Sequence, residues 1–521
     1  MGRLVRTLAV LRCLVFLPST AFAQETIAST ARDAIGGFQI VDLRPGALKE
    51  AITFTGEAPL GSTTGSLTRH SSRARANKRT FDFADSQNQP DTTEGYKFLV
   101  RGFVALQIDG DQHDMGGSQP FFPPPVPLPG TLRFSANQTQ LGFGLEAPPV
   151  NQWTNRVYVE LDFLSAPPAG ADRLNTREPR MRQALWLLGW NEDRSTLLVG
   201  QAPVLFGDLV TNLTWDNVSL ALGALAGKEP QIRYTHLQRR SENSALIFAG
   251  SVNAPNSGLF NENTDTAERS GLPSVQGKLA YYTTSRGTVS YFGFEDVQPS
   301  PLEIAVSGFV GAERAEPLTR DALTVVADGV AVSAIVPIIG ISNNRRAGAV
   351  GIIAQSWLGK NIDGYFGGNG QGIYETAAGR VDGVVGRGFF VGANAFVSQN
   401  IWLSAFYSYE RNNLPDLVNA GIPFRIASGA FSSSTFGSPG VGNGRDGYVA
   451  VWFNPLPSLY TGVGWDYRQA SYNDGDIGRN NRFNLSVFYN FCTAQADRAA
   501  KLPWACRTGG QTRDEGNPRQ P

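Results

Sequence analysis

The sequence predicts an all-β protein, a transmembrane antiparallel β-barrel with an even number of strands. Three observations predict this. The chain opens on an export leader. Period-two segments put apolar residues on one row and Arg, Asp, Glu and Gly on the other. The connections between those segments alternate between short and long.

The leader is "MGRLVRTLAVLRCLVFLPSTAFA". It has a basic start (Arg3, Arg6), an apolar stretch and Ala21-Phe22-Ala23 before Gln24, which reads as a secretory signal peptide over residues 1–23. Arg12 interrupts the apolar run, so what remains is shorter than the ~20 residues of a helical anchor. Cleavage removes three of 45 basic residues, and 42 against 45 acids leaves −3. A near-neutral chain lacks the basic surface of a general nucleic-acid binder, so no nucleic-acid partner is expected. No other segment approaches ~18 uncharged apolar residues. If the chain crosses a membrane it does so by strands, because only helices and closed barrels satisfy every backbone group in lipid. Glycine, 58 of 521 residues or about 11 per cent, exceeds the usual ~7 per cent.

Residues 24–95 hold a basic run, "RHSSRARANKR", and a polar run, "DSQNQPDTTEG", without alternation. They are expected to form a flexible periplasmic segment, the basic run being a solvated stretch. The barrel is expected over 96–491. In "FLVRGFVALQID", Phe98, Val100, Val104, Leu106 and Ile108 share one face, and Arg101, Gln107 and Asp109 the other. In "RVYVELDF", Val157, Val159, Leu161 and Phe163 oppose Arg156, Tyr158, Glu160 and Asp162. "RMRQALWLL" puts Arg180 and Arg182 on one row with Trp186, and Met181, Leu185 and Leu187 on the other, with Gln183 out of place. "QIRYTH" sets Ile232 and Tyr234 against Arg233. "LYTGVGWDYR" sets Leu459, Val463, Trp465 and Tyr467 against Gly462, Gly464, Asp466 and Arg468. In "TLRFSANQTQLGFGLE" the apolar row changes phase between Ala136 and Leu141, which a bulge near Asn137 or Gln138 would do, as would a strand end with the first part standing above the membrane.

The last strand is "RFNLSVFYNF". Phe483, Leu485, Val487, Tyr489 and Phe491 form a greasy row; Arg482, Asn484, Ser486 and Asn490 form a wet one that only Phe488 breaks. A soluble sheet turns its apolar row inward and an outer-membrane barrel turns it to lipid. The mixed Arg and carboxylate rows favour the second, since they suit a water-filled wall. Short turns ("SQN" at 398–400, "NPLPS") alternate with long connections (110–130, 411–446, "QASYNDGDIGRN"), the rhythm of periplasmic turns and extracellular loops. Cys492 and Cys506, the pair left after the leader departs, are expected to form a disulfide in a periplasmic tail over 492–521.

In order along the chain stand "YKFLVRGFVAL", "TQLGFGLEAP", "RVYVELDF", "RMRQALWLLG", "LLVGQAPVLFGDL", "EPQIRYTH", "LPSVQGKLAYYTTSRGTVSYFGF", "WFNPLPSLYTGVGWDYR" and "NDGDIGRNNRFNLSVFYNF". From Tyr96 to Phe491 the chain resembles the DcaP-like trimeric porins of Gram-negative outer membranes. The resemblance implies a sixteen-stranded barrel, eighteen being the alternative even count, a homotrimer in outer-membrane lipid, and passive uptake of small, often anionic, solutes such as dicarboxylates. Two features depart from that family: residues 24–95 lack the heptads of its periplasmic coiled coil, and a tail follows Phe491.

No enzymatic, cofactor or metal motif competes. His70, His113 and His236 are isolated, and "GGNGQG" at 367–372 lacks the Lys and Ser/Thr of a phosphate loop. "DGDQHDMGG" gathers Asp109, Asp111, His113 and Asp114, but the spacing does not match the twelve-residue calcium template, so it reads as a polar extracellular loop. The candidate pore-lining residues are therefore Arg101, Arg156, Arg180, Arg182, Arg233, Asp109, Glu160 and Asp162. An outward Arg at mid-membrane would cost ~2–4 kcal/mol. They are expected to give a laterally polarised constriction with mild anion preference. The alternatives are an exported soluble β protein with binding or hydrolytic activity, and a non-conducting outer-membrane barrel.

Overall fold

The computed structural model describes residues 97–494, apart from 114–121, 127, 151–152, 164–178, 192–193, 208–222, 226, 242, 255–270, 290–299, 316, 319–320, 342–345, 366–371, 428–434, 438–439 and 457. The expected leader, the 24–95 segment and Cys506 lie outside these residues, and so does the expected disulfide.

Twenty strands are described: β1 (Lys97–Asp111), β2 (Thr131–Ser135), β3 (Gln140–Val150), β4 (Trp153–Asp162), β5 (Arg180–Trp190), β6 (Ser195–Pro203), β7 (Lys228–Ser241), β8 (Ser244–Asn253), β9 (Ser274–Val289), β10 (Ser300–Ala315), β11 (Leu323–Ile339), β12 (Val350–Lys360), β13 (Ile373–Thr376), β14 (Val381–Gly383), β15 (Val385–Phe396), β16 (Ile401–Asn412), β17 (Phe424–Ile426), β18 (Val441–Leu456), β19 (Leu459–Tyr472) and β20 (Ile477–Ala494). One short helix, α1 (Leu414–Asn419), precedes β17. β13, β14 and β17 form a small separate sheet. The other seventeen form one antiparallel sheet, in which β2 and β3 both pair with β1 and share one stave. β1 also pairs with β20 over Leu99–Asp111, so the sheet closes as sixteen staves with no edge. The last strand runs to Ala494, three residues past Phe491.

The greasy row faces out. Leu403, Val451 and Phe483 are 45, 51 and 63 % exposed, while the alternate Trp402 and Trp452 are 1 % exposed. A soluble sandwich would hide the former, so the soluble reading fails. An apolar outside on a closed barrel, with strands of 9 to 18 residues apart from the five-residue β2 where a span needs about 9–11, makes this a membrane-spanning barrel of the outer-membrane type.

Both breaks in alternation are bulges. Gln107 pairs with Ser135 and Phe103 with Gln140, so three residues of β1 oppose four of the β2–β3 stave. The extra residue returns Phe134 and Phe143 to the same outer face. On β5, Glu160 pairs with Gln183 and Leu161 with Met181, leaving Arg182 as the extra residue. Gln183 thereby turns inward with Leu185 and Leu187, and Trp186 turns outward. The expectation that Trp186 shares the arginine row is thus corrected. A two-residue period read across a bulge inverts everything after it.

Connections at the rim bearing both chain ends span 2–4 residues in five of seven cases, and the other two span ten. At the far rim six of eight span 17 or more. The stretch "QASYNDGDIGRN" was expected to be long, but its strands continue to a four-residue turn at 473–476. There Tyr472 N donates to Asp476 O at 2.9 Å and Gly475 takes a positive φ of 96°. Polar residues on both rows at a strand end look like loop in sequence.

The inner face is not uniformly wet. Phe396, Trp402, Phe406, Tyr448, Trp452 and Phe488 are buried together on the wall from β15 to β20. Trp402 and Trp452 stack at 5.9 Å, and Phe488 meets Phe103 edge-on at 5.5 Å, which explains the apolar residue in the wet row. A Cβ on Gly462 would collide with the Trp452 ring, and one on Gly464 would come within 2.7 Å of the Tyr448 hydroxyl. Part of the glycine excess is room for rings lying across the neighbouring strand.

Candidate lumen constriction

All eight sequence-predicted residues lie on the inner row, where the alternation placed them, but they divide into separate groups. On β4 and β5 the inner carboxylates meet arginines directly. Arg180 donates from Nε and Nη2 to the two oxygens of Asp162 at 3.0 and 2.8 Å. Arg182 donates to Glu160 at 2.8 Å and to Asp162 at 2.9 Å. The bulge at Arg182 makes this possible, since it lets Arg180, Arg182 and Gln183 all reach the inner carboxylates. Tyr158 donates to Glu160 at 2.9 Å and is also hydrogen-bonded to Arg101. Lys228, not among the expected residues, stands within electrostatic reach of Arg182, Glu160, Asp162 and Arg180. Four cationic side chains (Arg101, Arg180, Arg182, Lys228) against two carboxylates give this patch a formal charge of +2. The Arg180 side chain is 41 % exposed, against 19 % for Arg182.

Arg156 sits lower, bound to Glu146 at 2.7 Å with both groups buried. Arg233 is buried on β7 and donates to the Pro203 carbonyl at 2.8 Å. Asp109 belongs to a second group across β1. It lies among Arg482, Asp111, Arg133 and Asp466. There Arg482 grips Asp111 at 2.6 and 2.8 Å, Arg133 reaches Asp111 at 3.3 Å, and Arg468 holds Asp466 at 2.9 Å and Asp446 at 3.6 Å. Three cations against four carboxylates (Asp109, Asp111, Asp446, Asp466) leave −1. Because Asp111 is engaged by Arg482, Arg133 and Asn480, and His113 N donates to Asn480, the "DGDQH" stretch over 109–113 is tied into the wall.

Sequence reasoning missed the element that narrows the lumen. The connection from β6 to β7, residues 204–227, sends both of its described stems inward. Leu205 N and Phe206 N donate to Gln276 Oε1 at 2.8 and 3.0 Å, and Gly207 N to Ser307 Oγ at 3.3 Å. Leu225 N donates to Gln355 Oε1 at 2.6 Å, and Gly223 O accepts from Trp357 Nε1 at 2.7 Å. All four partners are inner-row residues of β9, β10 and β12. Phe206 packs at 4.5 Å on Phe309 and 5.0 Å on Tyr365, and Ala224 joins the aromatic bed. Gly223, at φ 81°, lies so close to the wall that a Cβ would come within 2.6 and 2.9 Å of the Tyr409 and Phe389 carbonyls. β6 and β16 are the fifth and thirteenth of sixteen staves, so the connection reaches the wall opposite its origin. The only trace in the sequence is "APVLFGDL", an apolar run continuing past its strand.

Above the far rim, β13, β14, β17 and α1 fold into a cap around Tyr374, Leu414, Phe424 and Ile426. A buried Arg425–Glu375 pair at 2.6 Å holds it. Burial would raise the Asp382 carboxyl, but hydrogen bonds from Lys360 and Arg380 hold it below the usual range and tie the cap to β12.

Among solved structures the chain is similar to the outer membrane channel DcaP of Acinetobacter baumannii. The identity is 17%, the TM-score is 0.53, and the match covers 76% of this chain and 98% of that one. It also matches the anion-selective porin from Comamonas acidovorans (8%, TM-score 0.45, 76% and 100% covered) and Salmonella typhi OmpF in complex with daunomycin (13%, 0.42, 76% and 97%). The first likeness shows the fold, and it is the fold that the sequence resemblance implied. No protein-family profile and no curated protein matches the chain.

Proposed function

We propose that this protein is an outer-membrane porin, a passive channel rather than an enzyme, for small hydrophilic solutes with a preference for carboxylates. One observation carries the reading: inner-loop stems reach into the lumen of a closed barrel whose β1–β7 wall holds a patch of formal charge +2, with Arg101, Arg180, Arg182 and Lys228 around Glu160 and Asp162. Rings of Arg or Lys favour anions in a narrow pore, and guanidinium holds a carboxylate through two parallel hydrogen bonds. The far rim then faces the cell exterior and both chain ends face the periplasm. The homotrimer follows from the family resemblance, and cross-linking of the detergent-extracted protein tests it. The channel itself is tested by planar-bilayer conductance with reversal potentials in asymmetric salt. Anion-directed potentials support the reading, and a wild-type protein that inserts without conducting overturns it.

A second reading, a barrel of mainly structural duty, is favoured by the near-complete burial of Arg156, Arg233, Arg468 and Arg482 in the interior. The same conductance measurement decides between the two.

A further inference from the structure

We propose that Gln276 and Gln355 are the positioning residues of the constriction. They clamp the two stems of the β6–β7 connection to the inner wall at β9 and at β12 and so fix the bore of the channel. The inference rests on the channel reading, which it deepens.

A backbone N–H inside a barrel has no ladder partner and must find another acceptor. Leu205, Phe206 and Leu225 find theirs on two glutamines, 71, 70 and 130 positions away in sequence. Gln276 is suited to this as few side chains are. A carboxamide offers two acceptor positions and two donors. Its oxygen takes both amides of the first stem. Its nitrogen donates to Glu229 Oε2 at 3.1 Å and to the Tyr365 hydroxyl at 3.1 Å. Glu229 also accepts from Asn253 at 2.6 Å, so β7, β8 and the residues after β12 hold the amide in one orientation. A carboxylate at position 276 would lose both donations and face Glu229 with like charge. Gln355 plays the simpler part, with its oxygen on Leu225 N and its Nε2 without a partner among the described residues.

The packing beneath agrees with a fixed seat. Gly329 leaves the space that Phe206 fills, since a Cβ there would stand 2.7 Å from the ring. Gly207 lies against Leu225, so the stems also touch each other. Val204 N donates to Gly227 O at 3.1 Å, closing the base. Both stems are therefore held at the wall, at each other and at their root, which describes a built-in obstruction.

The test uses full-length protein in detergent and in planar bilayers, with Gln276→Leu, Gln355→Leu and the double variant. Gln276→Asn, shorter by one methylene, is the polar alternative where leucine prevents folding. Folding is checked by the heat-dependent shift of the barrel on a denaturing gel. Amide exchange read by mass spectrometry reports the stems directly. With the buried acceptor gone the stem amides open more readily, so protection of 204–207 should fall by roughly tenfold in Gln276→Leu, and that of 223–225 likewise in Gln355→Leu. In the same proteins conductance should rise, and poly(ethylene glycol) sizes excluded by wild type should enter. Unchanged exchange in folded variants overturns the clamp. Faster exchange with unchanged conductance and size limit, in a wild type that conducts, overturns its role in setting the bore. A non-conducting wild type defeats the channel reading alone, since exchange still decides the clamp.

Discussion

Arg482 and Asp111, 371 positions apart, form a two-pronged pair at 2.6 and 2.8 Å that locks the last strand to the first. Both groups are almost completely buried on the inner face of the seam. The seam is the only place where closure depends on residues from the two ends of the barrel.

Asp111→Ala should weaken closure more than Arg482→Leu. The first leaves two guanidinium groups, Arg482 and Arg133, without their shared carboxylate; the second leaves Asp111 with Arg133 and Asn480. Breaking a buried pair costs ~3–5 kcal/mol. The folded band of Asp111→Ala should therefore be lost at a lower temperature in heat-shift gels. Equal stability of the two variants would contradict the asymmetry.

Selectivity should follow exposure rather than arginine count. Arg180→Ser with Arg182→Ser takes the β1–β7 patch from a formal +2 to zero and uncovers Glu160 and Asp162. The reversal potential should move toward cations. Arg156→Leu, whose charge is neutralised by Glu146 in a buried pair, should lower stability with little change in reversal potential. The reverse result would place the selective charge below the constriction.

Deletion of Arg182 should be tolerated and deletion of Ala184 should not. Arg182 is the extra residue of a bulge, so its removal restores a regular ladder. Ala184 pairs regularly with Val159 and Gln201, and its loss turns Leu185 to Trp190 onto the wrong faces. Yield of heat-shifting barrel after refolding distinguishes the two.

Gly462→Val should cost ~1–3 kcal/mol by forcing the Trp452 ring from its seat. Trp452→Ala should cost ~3–5 kcal/mol by opening a cavity beside Trp402 and Phe488. In the double variant the valine has space, so the penalties should be less than additive in denaturant titration.

Strand faces were readable wherever the chain kept register. Val157 to Asp162, Ile232 to Tyr234 and Phe483 to Phe491 alternate in sequence as they do in space, because lipid on one side and water on the other leave no third option. The irregularities were readable as irregularities: the phase change before Leu141, the misplaced Gln183 and the apolar Phe488 each mark a feature. Their meaning needed partners. Phe488 makes sense beside Phe103 and Trp452, and Gln183 beside Glu160. The inner-loop stems were not readable, because nothing near Phe206 in sequence announces Gln276, nor anything near Leu225 Gln355. Arginines and carboxylates were both expected on the inner row, but which arginine meets which carboxylate follows only from the register across strands.

Gly223 touches the backbone of β15 and β16, and only five residues later Lys228 opens β7. Five residues stretch to at most about 17 Å. With about 5 Å more between Gly223 and the wall it touches, the two walls stand no more than about 22 Å apart at that height. Sixteen strands spaced about 4.8 Å and tilted about 40° would close a circle about 32 Å across, with these staves almost a full diameter apart. The cross-section is therefore narrower than that circle along the line from β7 to β15, a departure that no count of strands would reveal.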